Sequence, residues 1–258
     1  SLSLQREKAL RTSRKTLKNV ILFLRLLYVC TVKRCTPPVK EHFKAFNKCL
    51  HFREEVYFPE YPYRPGITKE VQIHHSKRSL ETIQKHNLTK NSLVVDIGSN
   101  DGTLLGFYKK NSMRVIGVEP TNTAKIAIKD GVDTIQKFFN ENVAEEIINN
   151  HGEASLITAT NVFAHMATMG QVVRGIKKLL SKDGYFIFEN HYILNILKDN
   201  QYDSIYHEHI RSYSLTSILY LFELYNMKVV DAEVVDRYGG TIRVTVSNNL
   251  DHNISDNV

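Results

Sequence analysis

The sequence predicts an α/β protein: a largely parallel seven-stranded sheet that closes on an antiparallel hairpin, preceded by a helical segment of a different character. Three observations predict it. Short β-branched runs alternate with helical periodicity from residue 92 to residue 189, the pattern of repeated βα units. Two further strand-like runs, Met227–Val235 and Thr241–Val246, are joined through Gly239-Gly240. That connection is too short for a crossover between parallel strands, which takes roughly a dozen residues, so the last two strands must pair antiparallel. Finally, the composition changes abruptly near residue 55.

The elements follow in order. Ser76–Asn87 carries Leu80 and Ile83 at helical spacing, and SLVVDI (Ser92–Ile97) reads as a buried strand. Thr103–Lys110 is a helix and RVIGV (Arg114–Val118) the second strand. Pro120 can open a helix that runs to Asp130, and Val132–Gln136 is the third strand. Glu141–Asn150 turns Val143, Ile147 and Ile148 inward, and ASLITA (Ala154–Ala159) is the fourth strand. Gly170–Leu180 places Val173, Ile176 and Leu180 on one stripe; Asp183-Gly184 turns the chain into YFIFE (Tyr185–Glu189), the fifth strand. A loop and a helix fill 191–225. The sum is the outline of a Rossmann-like methyltransferase sheet rather than a plain dinucleotide-binding domain.

Four regions result: a basic segment (1–55), a lead-in (56–75), the core (76–248) and a tail (249–258). The chain has 258 residues and a formal charge of +7. Residues 1–55 carry 13 Lys/Arg against 4 Asp/Glu, while the remainder is nearly neutral, so the total does not predict a nucleic-acid partner. All 12 glycines follow residue 65, and all three cysteines (Cys30, Cys35, Cys49) precede residue 50. Val20–Cys30 (VILFLRLLYVC) is apolar but short and broken by Arg25, which predicts an amphipathic helix rather than a membrane span. No paired C-x2-C unit predicts structural zinc there. With no signal peptide in this sequence, a reducing cytoplasm is the expected location.

VVDIGSNDGTLL (Val94–Leu105) runs from a strand into a glycine turn and then a helix. Ligands of such sheets bind at the carboxyl ends of the strands. Gly98 and Gly102 permit close approach of the backbone, and Asn100 lies in the same turn. The spacing is not the G-x-G-x-x-G that cradles a pyrophosphate. Asp96 and Asp101 would repel a pyrophosphate but suit a sulfonium cation. Glu119, at the end of the second strand, can accept both hydroxyls of a ribose. These residues predict S-adenosylmethionine as cofactor. Asn161 after the fourth strand would face its methionine end. Phe139, after the third, is either core or adenine contact.

A second constellation, QYDSIYHEHIRSYS (Gln201–Ser214), gathers Tyr206, His207, Glu208 and His209 on the same rim. Histidine is the usual general base near neutral pH. His-x-His, with Glu189 and His191, could also ligate a metal, but no fourth-ligand pattern accompanies it, and no metal is expected.

In this order VVDIGSNDGTLL, GVEPT (Gly117–Thr121), NVFAHM (Asn161–Met166), FEN (Phe188–Asn190), YDSIYHEH (Tyr202–His209) and YGGTIRV (Tyr238–Val244) resemble the sugar C-methyltransferase family. YPYRPGITK (Tyr61–Lys69) is similar to that family's lead-in. The resemblance covers residues 56–248. It implies S-adenosylmethionine-dependent methylation at carbon 3 of a nucleotide-linked 4-keto deoxysugar. It implies His209 as the base, Tyr206 and Glu208 beside it, His165 facing the substrate, and Tyr61 or Tyr63 on the substrate side. It also implies a zinc-binding domain before the core and an α/β domain after it. The sequence departs from both, and reads as incomplete at both ends. The competing expectations are a small-molecule O- or N-methyltransferase and a non-catalytic cofactor-binding core. Neither a nucleic acid nor a membrane is an expected partner, and the oligomeric state is left open.

Overall fold

A computed structural model describes residues 61–166, 168–204 and 209–258 of the chain. The basic segment, with its apolar run and cysteines, lies outside the described residues. So do Tyr206, His207 and Glu208.

Seven strands form one sheet in the order β3-β2-β1-β4-β5-β7-β6. They are β1 (Leu93–Ile97), β2 (Arg114–Val118), β3 (Thr134–Ile135), β4 (Ala154–Thr160), β5 (Leu180–His191), β6 (Lys228–Val235) and β7 (Thr241–Ser247). β7 runs antiparallel to both β5 and β6, and the pairs among β1 to β5 are parallel. The helices are α1 (Lys69–Lys85), α2 (Thr103–Lys110), α3 (Ala124–Lys129), α4 (Glu141–His151), α5 (Met169–Leu179), α6 (Ile193–Lys198) and α7 (Leu215–Glu223).

The sheet has an apolar cluster on each face. On one, Val95, Ile97, Ile157, Phe186, Phe188 and Val244 pack with residues of α4, α5 and α7. Phe163, Phe188 and Phe222 form its aromatic centre, with Phe163 stacked on Phe188 at 4.8 Å between ring centroids. On the other, Val94, Val115, Leu156 and Ile187 pack with Leu104, Leu105 and Tyr108 of α2. Caps fix the helix ends. Asn140 accepts from the backbone N–H of Asn142 and Val143 to start α4, and Ser214 with Ser217 makes a capping box on α7.

Several boundaries differ from the sequence reading: α3 begins at Ala124 and is not opened by Pro120, and 191–225 holds two helices, α6 and α7, where the sequence predicts one. α1 begins at Lys69, not Ser76, directly after a 3-10 turn over Pro65–Ile67. Its buried face includes His75, Arg78, Ser79 and Thr82, so apolar spacing could not reveal it, and Leu80 points outward. β3, one edge of the sheet, has only two ladder residues, Thr134 and Ile135. β5 starts at Leu180: Ala154 pairs with Leu180 and Leu156 with Tyr185, and the Asp183-Gly184 turn is an irregularity inside the strand's span.

Candidate cofactor and active site

The parallel strands all end on one edge of the sheet, and Gly98, Gly102, Glu119, Asn161 and His165 lie in or next to the segments that follow them. Gly98 follows β1 with φ +73°, and a Cβ on it would lie 2.2 Å from Val162 Cγ2. The turn therefore needs glycine for its backbone conformation and for the close approach of the loop after β4. Gly102, also left-handed at φ +75°, precedes α2 and packs against Ala127 and Val132. Glu119, 5% exposed at the end of β2, accepts the backbone N–H of Asn100 and of Thr121, each at 2.9 Å. Each carboxylate oxygen keeps further lone pairs for a ribose hydroxyl. Ser99 Oγ and Asn100 Oδ1 are buried without hydrogen-bond partners among the described residues. Orphaned polar atoms in a glycine turn, above a buried acid, fit a polar nucleoside ligand.

Asp96 sits beneath this turn rather than at its surface. It is buried and accepts a 2.6 Å hydrogen bond from Thr158 Oγ1. Burial pushes its carboxyl up to about 7, against the opposing effects of Thr158 and Arg78. It ties β1 to β4 and holds the turn from below. Asp101 is committed elsewhere: one oxygen accepts from Thr103 N and Oγ1 at the start of α2, and the other accepts from Gly66 N at 3.0 Å.

That last contact belongs to a strap. Residues 61–66 cross the cofactor turn: Tyr61 N donates to Asn122 Oδ1 at 3.1 Å, and Asn100 Nδ2 donates to the Tyr63 carbonyl at 2.9 Å. Beyond the turn, the Tyr63 hydroxyl lies 3.3 Å from that of Tyr238 at the β6–β7 turn. Burial and the Tyr238 hydroxyl push the Tyr63 phenol up. The guanidinium of Arg237 lies over the Tyr238 ring at 4.9 Å. Tyr238 itself has φ +49°, a conformation rare for a bulky residue.

Phe139 is 7% exposed and belongs to the core cluster with Val143 and Ala144. Its ring edge stands 3.0 Å from where a Cβ on Gly175 would be. It packs α4 against α5, and the exposed neighbour is Phe138. Asn161 follows β4 in the left-handed region, at φ +52°, and donates its backbone N–H to the Glu189 carbonyl at 2.8 Å.

His165 ends a 3-10 turn over Phe163–His165, and its ring centroid is 4.9 Å from that of His209. The ring of His191 stacks on His209 at 4.2 Å. His209 Nδ1 is 2.8 Å from the Ser204 carbonyl oxygen. A carbonyl only accepts, so Nδ1 carries a hydrogen, and in the neutral ring the lone pair is on Nε2. Among the described residues no group of three His, Cys, Asp or Glu side chains is arranged to hold a metal.

The sequence reading missed an ionic hub behind the histidines. Glu189 meets Arg78, His74 and Arg243, and Arg78 Nη1 also donates to Thr160 Oγ1 at 2.6 Å. Burial alone would raise the Glu189 carboxyl, but Arg78, His74 and Arg243 hold it well below the usual carboxylate range. The signal available in the sequence was the strand pairing of Glu189 with Arg243, visible only once β7 is placed beside β5.

Comparisons with known proteins agree with this architecture. A family profile described as "Methyltransferase domain" matches residues 73–232. The chain is similar to the C-methyltransferase NovU of Streptomyces niveus, 38% identical over 191 residues. That match covers 74% of this chain and 46% of NovU, so the chain spans less than half of that relative. Among solved structures it is similar to an S-adenosylmethionine-dependent methyltransferase from Clostridium acetobutylicum, with TM-score 0.54, 13% identity, 80% of this chain covered and 99% of the other. It is also similar to the magnesium protoporphyrin IX methyltransferase of Synechocystis PCC 6803 with bound SAH, with TM-score 0.52, 11% identity and coverages of 79% and 96%. These two likenesses speak to fold alone. No helix among the described residues is long and apolar enough to cross a membrane.

Proposed function

Because the chain belongs to the methyltransferase domain family, we propose that it is an S-adenosylmethionine-dependent methyltransferase that acts on carbon 3 of a nucleotide-linked 4-keto deoxysugar. In this reading His209 is the base that removes the carbon-3 proton. The observation that carries it is the 2.8 Å contact of His209 Nδ1 with the Ser204 carbonyl. That carbonyl takes the Nδ1 hydrogen, so the neutral ring has its lone pair on Nε2 and can accept a proton there. The similarity to NovU, named a C-methyltransferase, supports carbon as the acceptor atom.

The cofactor, when bound, supplies an electrophilic methyl group on a sulfonium. The residues would do the rest. Glu119 and the Gly98–Gly102 turn hold the nucleoside end, and Asn161 bounds the methionine end. A ketone at carbon 4 acidifies the neighbouring carbon–hydrogen bond, and His209 Nε2 accepts that proton. His165, its ring beside His209, or Tyr206 donates to the carbon-4 oxygen as negative charge develops there. Glu208 acts beside the base, and Tyr61 or Tyr63 on the strap bounds the sugar.

The test is to incubate the chain with S-adenosylmethionine and a dTDP-4-keto deoxysugar and to locate the transferred methyl group. Methyl on carbon 3 supports the proposal. Methyl on oxygen or nitrogen, or cofactor binding with no transfer to this substrate, overturns it.

A further inference from the structure

His191 has no part in the chemistry proposed above, yet it is fixed to the sheet beside the residue proposed as base. It is the last residue of β5, paired with Thr241 of β7. Directly after it, Tyr192 bridges to Tyr213, and Ile193 N donates to the Tyr213 carbonyl at 3.1 Å. Its side chain is buried, with a hydrogen bond to the Arg211 backbone, and Nε2 has no hydrogen-bond partner among the described residues. His209 lies in irregular backbone before α7. Its ring meets His191 nearly face to face, at 4.2 Å and an interplanar angle of 25°. His165 meets the same ring at a steeper 59°.

A reactive group on a loop keeps its geometry only when a rigid element locks its rotamer. We propose that His191 is a positioning residue: its ring, fixed to the end of β5, is the flat wall that sets the plane in which His209 presents Nε2. The inference rests on the reading of His209 as the base. The wall must also be uncharged, because a proton taken up by His209 would otherwise sit against a second cation. Burial, and then the neighbouring His209 and His165, lower His191 to about 4, so it is neutral at neutral pH. Among the described residues, the titratable groups acting on it are His209 and His165, and Arg211 meets it through a backbone hydrogen bond.

Two variants separate a wall from a mere filler. His191→Phe keeps a flat uncharged ring, and His191→Ala removes the stack. With a dTDP-4-keto deoxysugar, deuterium exchange at carbon 3 should stay within about threefold of wild type in His191→Phe and fall about 10- to 100-fold in His191→Ala, the cost of a misplaced reactive group. Nitrogen-15 spectra of the His209 ring give a readout without turnover. The Nδ1–H tautomer should dominate in wild type and His191→Phe, and become mixed in His191→Ala. His191→Leu, which fills the space without a flat face, takes the place of His191→Ala if that chain fails to fold. Equal exchange and equal spectra in all variants overturn the inference, as does a His191→Phe chain as impaired as His191→Ala. His209→Ala is run alongside. If its exchange is unchanged, the base reading fails, and the tautomer spectra alone then decide whether His191 orders the ring.

Discussion

Glu189 of β5 and Arg243 of β7 stand opposite one another in the antiparallel ladder, and the arginine brings both Nε and Nη2 to 2.7 Å from a single carboxylate oxygen, Oε1. The same oxygen faces Arg78 Nε of α1 at 3.4 Å, and Oε2 faces His74 Nε2 at 3.5 Å. One carboxylate thus joins α1 to the pair of strands that carries the antiparallel closure. Arg78 is 1% exposed and Glu189 3% by side chain, so neither charge can turn to water.

Glu189→Gln should therefore destabilise the domain by about 3–5 kcal/mol, because it leaves Arg78 buried without a counter-charge. Urea denaturation at pH 7 measures it, and a loss below about 1 kcal/mol would show that the arginines re-pair or hydrate. The sign with pH follows from the depressed carboxyl. The contribution is fully present above the ordinary carboxylate value of 4.5 and is lost as pH falls toward the folded-state value.

A second pH effect begins at milder acidity. Burial holds His75 at about 3 and His86 and His191 at about 4, against 6.5 for the free side chain. Between pH 6.5 and 4 the unfolded chain binds these three protons and the folded chain does not, so stability falls as pH falls. Asp96, raised from 3.8 to about 7, acts in the opposite sense over the same window. The balance of two protons predicts a loss of about 2.7 kcal/mol per pH unit, strongest near pH 5. Denaturant midpoints at pH 7, 6 and 5 measure the slope, and His75→Asn should flatten it.

Gly98→Ala combines a left-handed backbone with a Cβ placed 2.2 Å from Val162 Cγ2. The expected cost is about 1–2 kcal/mol for the backbone and about 1–3 kcal/mol for the overlap. Val162→Ala in the same chain should recover the overlap and not the backbone cost. A double-mutant cycle on stability reads the difference, and an additive pair would contradict the packing described.

Replacing Glu119 by Ala should weaken S-adenosylmethionine by about 1–3 kcal/mol if the carboxylate takes charged hydrogen bonds from the ribose. Removing it also frees the Asn100 and Thr121 backbone N–H groups. Glu119→Gln keeps an acceptor for one of them and should lose less. Calorimetry showing unchanged affinity in both variants would remove Glu119 from the cofactor site.

His209→Ala and His209→Asn should lower carbon-3 exchange and methyl transfer by about 10²–10⁴-fold while cofactor binding changes little. Exchange at the wild-type rate in either variant would assign the base to another group, with His165 and Tyr206 next in line.

Much of this fold is legible in the sequence because its signals are local. SLVVDI and YFIFE are strands by composition, the glycine turn has fixed offsets, and the two-glycine connection dictates antiparallel pairing. What was not legible is held by distant or polar contacts. Beyond Val71, the buried face of α1 is His75, Arg78, Ser79 and Thr82, polar residues that hydrophobic periodicity does not count. His191 enters the sequence as a metal companion of His209. The structure gives it a stacked ring, a relation set by the ends of β5 and of the loop before α7. Phe139 could not be assigned from sequence because a strand-end aromatic suits either a ligand or a core. Its packing against Gly175 and the α4 start needs the α5 position to be known.

The strap over the cofactor turn bears on what counts as the inherited module. The family profile covers 73–232. A piece cut at those limits would lack Tyr61–Gly66, and with them the strap's hydrogen bonds to Asn100, Asp101 and Asn122. It would also lack β7, and with it the ladder partner of both β5 and β6. The sequence shared across the family and the part that closes this site are therefore different lengths of chain. The smallest stretch that keeps the strap, the Glu189–Arg243 pair and an unbroken sheet runs from Tyr61 to Ser247.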